Sequence, residues 1–179
     1  MVVKASIGQD SHRFVDCEGG GGAGAERGGG GGRGLGSSGR KLVLGGVVFE
    51  GEAPLLGNSD ADVVLHALCN AISGATGMNV LGAITDRMCL GDGVTDSSAY
   101  VREALKYMAG GVITHVSFAI ECARPAIAPR IDEMRENIAK LIGAGAGSVG
   151  ITATSGEGLT DFGRGLGIQV FCILTAVYD

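Results

Sequence analysis

The sequence predicts an α/β (α+β) fold: a roughly four-stranded mixed sheet covered on one face by about three helices. Alternating apolar stretches of strand length interleave along the chain with amphipathic stretches of helical period, and no segment repeats. Apolar residues make up 45% of the 179, enough to fill one core.

Val3, Ala5 and Ile7 alternate with polar or small residues and predict a first strand running toward Asp10 and His12. Residues 19–39 contain 13 glycines in 21 positions and bury too little to order a chain of such high entropy. They read as a surface insert, bounded at about 17–40, within a single domain spanning residues 1–179. Leu42 to Val48 is a second strand, closed by Gly45-Gly46 and Phe49. A helix is expected after Gly57-Asn58-Ser59, with Ser59 as N-cap, Ser59-x-x-Asp62 as a capping box, and Val64, Leu65, Leu68 and Ile72 at helical spacing. Another follows Asp96-Ser97 through Val101, Leu105 and Met108. Val112 to Glu121 alternates as a strand, and Ile131, Met134, Ile138, Leu141 and Ile142 mark an amphipathic helix. Val149-Ile151-Ala153 and Ile168 to Val177 complete the strands.

Composition narrows the functions. A formal charge of −5, from 14 Lys+Arg and 19 Asp+Glu, offers no basic face for nucleic acid. No apolar run reaches the ~18 residues of a membrane span. Five scattered cysteines without a C-x-x-C pair point to a reducing compartment rather than a disulfide framework. Met1-Val2-Val3-Lys4 enters the first strand at once, so no signal or transit peptide is expected. The expected location is the cytoplasm, or the plastid stroma if a transit peptide has been removed.

Three histidines can be weighed singly. Asp10 and His12, two apart on a strand, share a face, and His66 stands in the first turns of the predicted helix. One carboxylate and two imidazoles with an open fourth position make a catalytic zinc ligand set. Spacing alone describes a turn and a half-buried helix histidine equally well. His115 falls on the polar face of its strand and reads as structural or exposed. Thr152 to Gly158 combines hydroxyls, glycines and Glu157 after a strand. Such a loop can hold phosphate and Mg²⁺, or simply turn. Two stretches in the insert are decoys. Gly34 to Lys41 resembles a phosphate-binding P-loop but has Arg40 where Lys is required, and Arg27-Gly28-Gly29 occurs once with no aromatic neighbour for base stacking.

Taken together, Gly8-Gln9-Asp10-Ser11-His12-Arg13-Phe14, Leu44-Gly45-Gly46-Val47, Ser59-Asp60-Ala61-Asp62-Val63-Val64-Leu65-His66-Ala67, Asp96-Ser97, Pro125 with Pro129, Met134-Arg135, Ala153-Thr154 through Glu157, and Gly163-Arg164-Gly165 resemble the 2-C-methyl-D-erythritol 2,4-cyclodiphosphate synthase family. They run in family order over nearly the whole chain, with the Gly-rich insert extra. The resemblance implies a homotrimer with active sites at subunit interfaces. It implies Zn²⁺, or a similar divalent transition metal, on Asp10, His12 and His66, and Mg²⁺ or Mn²⁺ on Glu157 with the substrate diphosphate. It also implies a substrate, 4-diphosphocytidyl-2-C-methyl-D-erythritol 2-phosphate, that cyclises with loss of CMP.

By position, the implied catalytic residues are Asn58, Ser155 and Glu157. Ser59 would contact the erythritol side, and Thr154 and Ser155 phosphate or ribose. Cys122 to Ala128, with Pro125 and Ala126, would edge the cytosine pocket. Ser11, Val80, Leu81, Gly82, Gly156 and Arg164 complete the implied substrate contacts. The chain departs from the family at Asn58, usually His; at Val80, usually Asp; at Ala126 and Thr152, usually Lys; at Leu166, usually Glu; and over Ala83 to Arg87, where the usual lid sequence is replaced. A second reading follows from these departures: a catalytically impaired trimeric metal- or nucleotide-binding relative. A third is RNA binding through Arg27, Arg33 and Arg40 of the insert.

Overall fold

A computed structural model describes residues 1–17 and 39–179. Most of the predicted insert, including Arg27, Arg33 and most of the P-loop look-alike, lies outside the described residues. The strands are β1 (Val2–Arg13), β2 (Leu42–Leu44), β3 (Val47–Phe49), β4 (Val112–Glu121), β5 (Val149–Thr154) and β6 (Gly167–Tyr178). The helices are α1 (Val63–Thr76), α2 (Ala83–Asp86), α3 (Ser97–Leu105) and α4 (Ile131–Ile142). Four strands form a mixed sheet in the order β1-β6-β4-β5. β6 pairs antiparallel with both β1 and β4, while β4 and β5 run parallel, joined by a crossover through α4.

Period two is clean on β6, where Ile168, Val170, Cys172, Leu174 and Ala176 are buried. They meet Val64, Leu68 and Ile72 of α1 in one cluster with Phe118 and Ile120 of β4 and Met134 and Ile138 of α4. A register shift between Ile113 and His115 changes the phase of β4, so that Val116, Phe118 and Ile120 face inward and His115 is exposed, as predicted.

Three local expectations are corrected. Leu42 to Val48 is a hairpin, not one strand: Gly45 and Gly46 both adopt positive φ (59° and 75°), the geometry of a two-residue turn matched to strand twist. The N-cap of α1 is Asp62, not Ser59. Ala61 adopts φ 56°, which breaks a helix started at Ser59, and Asp62 accepts the N–H groups of Val64 and Leu65. A short α2 and a π-type turn over Arg87–Gly91 occupy a stretch where no element was expected.

β1 and α1 are in unusually close contact. A Cβ at Gly8 would lie 2.1 Å from the Ala67 carbonyl oxygen and 2.3 Å from the Ala71 nitrogen, so only glycine allows this approach. Gly8→Ala is expected to lower stability by about 1–3 kcal/mol in denaturant titration. Gly147→Ala, where nothing lies within 4 Å of a new Cβ, should stay within about 0.5 kcal/mol of wild type.

Candidate metal centre and active site

The end of β1 carries Asp10 and His12 on one face, and α1 presents His66 to them one turn from its N-terminus. Asp10 Oδ2 lies 3.0 Å from His12 Nε2 and 3.0 Å from His66 Nδ1, and the two nitrogens are 3.2 Å apart. Ligands bonded tetrahedrally at about 2.0–2.1 Å to a zinc-like ion sit about 3.3 Å from one another. The three side chains therefore already have the spacing of one tetrahedral face, and their chemistry suits a divalent metal. Among the described residues this is the one group of three or more metal-ligating side chains. Burial alone would raise the Asp10 pKa. Hydrogen bonds to His12 and His66, and the charge of those rings, outweigh it and hold the carboxyl well below its ordinary range. Asp10 is thus a carboxylate at neutral pH.

The N-terminal approach to α1 is built around Asp62, which is fully buried. Its Oδ1 accepts from the N–H groups of Gly45, Val64 and Leu65 at 2.9, 3.1 and 3.1 Å, and its Oδ2 from Gly46 at 2.7 Å. One carboxylate therefore caps the helix and ties it to the β2–β3 turn. Burial and the neighbouring Asp60 push its pKa up to about 6, against the N–H groups of Gly46, Leu65 and Gly45.

A cavity of about 210 Å³ opens over the triad, lined also by Asn58, Ser59, Leu81, Thr85, Asp86, Cys89 and Tyr100. Asn58, Ser59 and Leu81 thus line the same cavity as the triad, while Ser11 is exposed on the opposite face of β1 and Gly82 is exposed on the loop after α1. Val80 is a correction to the expected loop contacts. It is 1% exposed and packs in the core, so its side chain does not face the cavity. A larger cavity, about 540 Å³, lies between the β2–β3 turn and the helices, among Leu65, Arg102, Asn137 and Lys140, away from the triad.

Thr154, Ser155, Gly156 and Glu157 stand elsewhere. Thr154 ends β5 and the other three follow it, at the opposite edge of the sheet from β1. Ser11 pairs with Gln169, Gln169 with Glu121, and Glu121 with Thr154, so both groups sit at the same end but three strand spacings apart, about 14 Å. Glu157 is exposed with φ 49°, and Thr154 and Ser155 hydroxyls accept the N–H groups of Gly156 (3.2 Å) and Glu157 (3.5 Å). Pro125 is buried after a cis peptide bond, and Ala126 beside it is exposed. Arg164 is engaged by Asp161 at 2.5 Å and by the carbonyls of Gly158 and Leu159, so it braces the loop that carries Glu157.

The YgbB family model matches residues 3–177.

The chain belongs to the YgbB family.

Its relatives include proteins named 2-C-methyl-D-erythritol 2,4-cyclodiphosphate synthase. The one from Chlamydia felis is 43% identical over 98% of this chain and 90% of its own length. One from Chlamydia trachomatis is 38% identical over 97% and 88%. Among solved structures, the chain resembles the Plasmodium vivax synthase (TM-score 0.73, 22% identity, 99% of both chains) and the Plasmodium falciparum protein solved as a CDP complex (TM-score 0.74, 20% identity, 98% and 96%). It also resembles a bifunctional protein from Campylobacter jejuni (TM-score 0.79, 22% identity), covering 99% of this chain but only 43% of that one. At 20–22% identity these structures share the fold of this chain.

Sequence reasoning missed Thr85, Asp86, Cys89 and Tyr100 as cavity walls, and the double role of Asp62. Its sequence signal is its place at the helix start, as the last residue of Ser59-x-x-Asp62. Asp62→Ala leaves four N–H groups without their acceptor. It should cost about 2–4 kcal/mol in denaturant titration and weaken metal binding by disordering the start of α1.

Proposed function

We propose that this chain converts 4-diphosphocytidyl-2-C-methyl-D-erythritol 2-phosphate into 2-C-methyl-D-erythritol 2,4-cyclodiphosphate and CMP, a lyase step of non-mevalonate isoprenoid biosynthesis. The observation that carries this reading is the tetrahedral spacing of Asp10, His12 and His66 in a chain whose relatives bear that name. In the reaction an oxygen of the 2-phosphate bonds to the β-phosphorus, and the bond from that phosphorus to the bridging oxygen breaks, releasing CMP. The nucleophile belongs to the substrate, so the chain needs no Ser/His or Cys/His pair.

Asp10, His12 and His66 hold Zn²⁺ or a similar ion, and Glu157 holds Mg²⁺ or Mn²⁺ with the diphosphate. Bound there, these cations supply the positive charge that offsets crowding of the phosphates. The chain's own work is alignment. Asn58 donates to a phosphate oxygen from the cavity wall, and Ser59 orients the erythritol. The loop around Pro125 and Ala126 edges the cytosine. Thr154, Ser155 and Gly156 receive phosphate or ribose, with the Ser155 hydroxyl placed for the transition state. Holding both reacting groups in one molecule supplies much of the rate.

The site is completed between subunits of a homotrimer. In one chain about 14 Å of sheet separates the triad from the Glu157 loop. The sheet face away from the helices also exposes Val3, Ile7 (63%), Phe171 and Ile173 (53%), an apolar surface suited to packing against other copies. Among the described residues no helix is long and apolar enough to cross a membrane. The proposed protein is one cytoplasmic domain spanning residues 1–179, with a small nucleotide diphosphate as partner rather than nucleic acid.

Purified protein is expected to hold about one zinc per chain and to release CMP from the substrate. Full zinc loading without CMP release would identify the impaired relative instead. Glu157→Gln should retain zinc while lowering turnover about 100-fold or more. Co-assembling the Glu157→Gln and His66→Ala chains should raise turnover well above that of either variant alone. Mixed trimers that stay inactive would count against the interface site.

A further inference from the structure

His66 is held from two sides. Its Nδ1 faces Asp10 and His12, and its Nε2 lies 2.9 Å from Ser97 Oγ, the first residue of α3. The direction of that second bond follows from a count of protons. A serine hydroxyl has one proton to give. Ser97 gives it to Asp60 Oδ1 in a short hydrogen bond, and its backbone N–H donates to Asp60 Oδ2 at 3.1 Å. The Asp62 N–H donates to Asp60 Oδ1 at 3.2 Å. Both oxygens of Asp60 are therefore acceptors, and Ser97 Oγ has only lone pairs left to offer His66. The hydrogen between them sits on Nε2. A ring that binds a metal is neutral, so with its proton on Nε2 it offers an unprotonated Nδ1, the nitrogen aimed at the metal site. The other hydroxyl near Nε2, on Ser59, is 3.5 Å away, well beyond the 2.9 Å of Ser97. Ser97 is 0% exposed and His66 8%, so Nε2 is buried against that hydroxyl.

We propose that Asp60 and Ser97 are positioning residues that select the metal-binding tautomer of His66. A carboxylate orients a hydroxyl, the hydroxyl orients an imidazole, and the imidazole offers its Nδ1 lone pair. This rests on the reading of Asp10, His12 and His66 as a metal centre, and adds what aims its most buried ligand. It also assigns a role to the N-terminus of α3, which Asp60 ties to the approach of α1 through Ser97 and through its own N–H bond to the Thr95 carbonyl at 2.9 Å.

The test measures zinc affinity by chelator competition and the His66 ring by ¹⁵N–¹H NMR, on the full chain. In the zinc-loaded wild type, His66 should be metal-bound through Nδ1 and carry a slowly exchanging proton on Nε2. Ser97→Ala should weaken zinc binding about 10–100-fold and expose that proton to rapid exchange. Asp60→Ala keeps the hydroxyl but frees it to donate to Nε2, so it should weaken zinc binding although Ser97 is intact. Ser97→Thr retains the hydroxyl and should restore both readouts toward wild type. Circular dichroism of the metal-free variants checks their fold, and either alanine variant suffices if the other does not fold. Coordination of the wild-type ring through Nε2 would overturn the proposal. So would alanine variants with unchanged zinc affinity and an unmoved Nε2 proton. A wild-type chain that takes up no zinc would instead remove the metal reading itself, and this proposal with it.

Discussion

At Gly8 the backbone of β1 lies so near α1 that a Cβ would meet the Ala67 carbonyl oxygen at 2.1 Å, and the convergence of Asp10, His12 and His66 depends on that approach. Two residues further along β1 comes Asp10, and two beyond it His12, on the strand face turned toward α1. His66 immediately precedes Ala67 on α1. Were strand and helix held apart by even one methyl group, the 3.0–3.2 Å spacing of the three ligand atoms would open. Close packing transmits such a displacement because interiors have few voids to absorb it.

Around this contact the acidic residues divide their work by surroundings. Asp10 sits between two imidazoles and stays anionic. Asp62, buried two residues past Asp60, spends both oxygens on backbone N–H groups and joins the helix to the β2–β3 turn. Asp60 turns toward Ser97 and, through it, toward His66. Three carboxylates within reach of one helix start thus stand in three different settings, and the proposed roles of ligand and orienting group fall to Asp10 and Asp60, that of anchor to Asp62. Hydrogen bonds to charged acceptors are stronger than neutral ones, which makes this cluster suited to fixing side-chain direction.

Much of the fold and the triad were legible because their signals are local. The alternation of β6, the period of α4 and the same-face placement of Asp10 and His12 need only the backbone repeat. The convergence of His66 was legible from motif order, not from spacing, which also fits a turn and a helix histidine. What stayed hidden was set by contacts distant in sequence. Ser59 and Asp62 both suit an N-cap, and the choice fell to Asp62 because Gly45 and Gly46 bring two further donors from the hairpin. Val80 lies beside residues that face the cavity, yet it is buried in the core. Neither the positive φ of Glu157 nor the direction of the Ser97 hydroxyl is written in a residue pattern.

The central claim is that Asp10, His12 and His66 together bind one divalent cation. Diffraction from zinc-soaked crystals on either side of the zinc absorption edge tests it most directly. The account predicts a single strong anomalous peak about 2.0–2.2 Å from Asp10 Oδ2, His12 Nε2 and His66 Nδ1. A fully soaked crystal with no peak there, or with zinc bound elsewhere and the triad still hydrogen-bonded to itself, would contradict it.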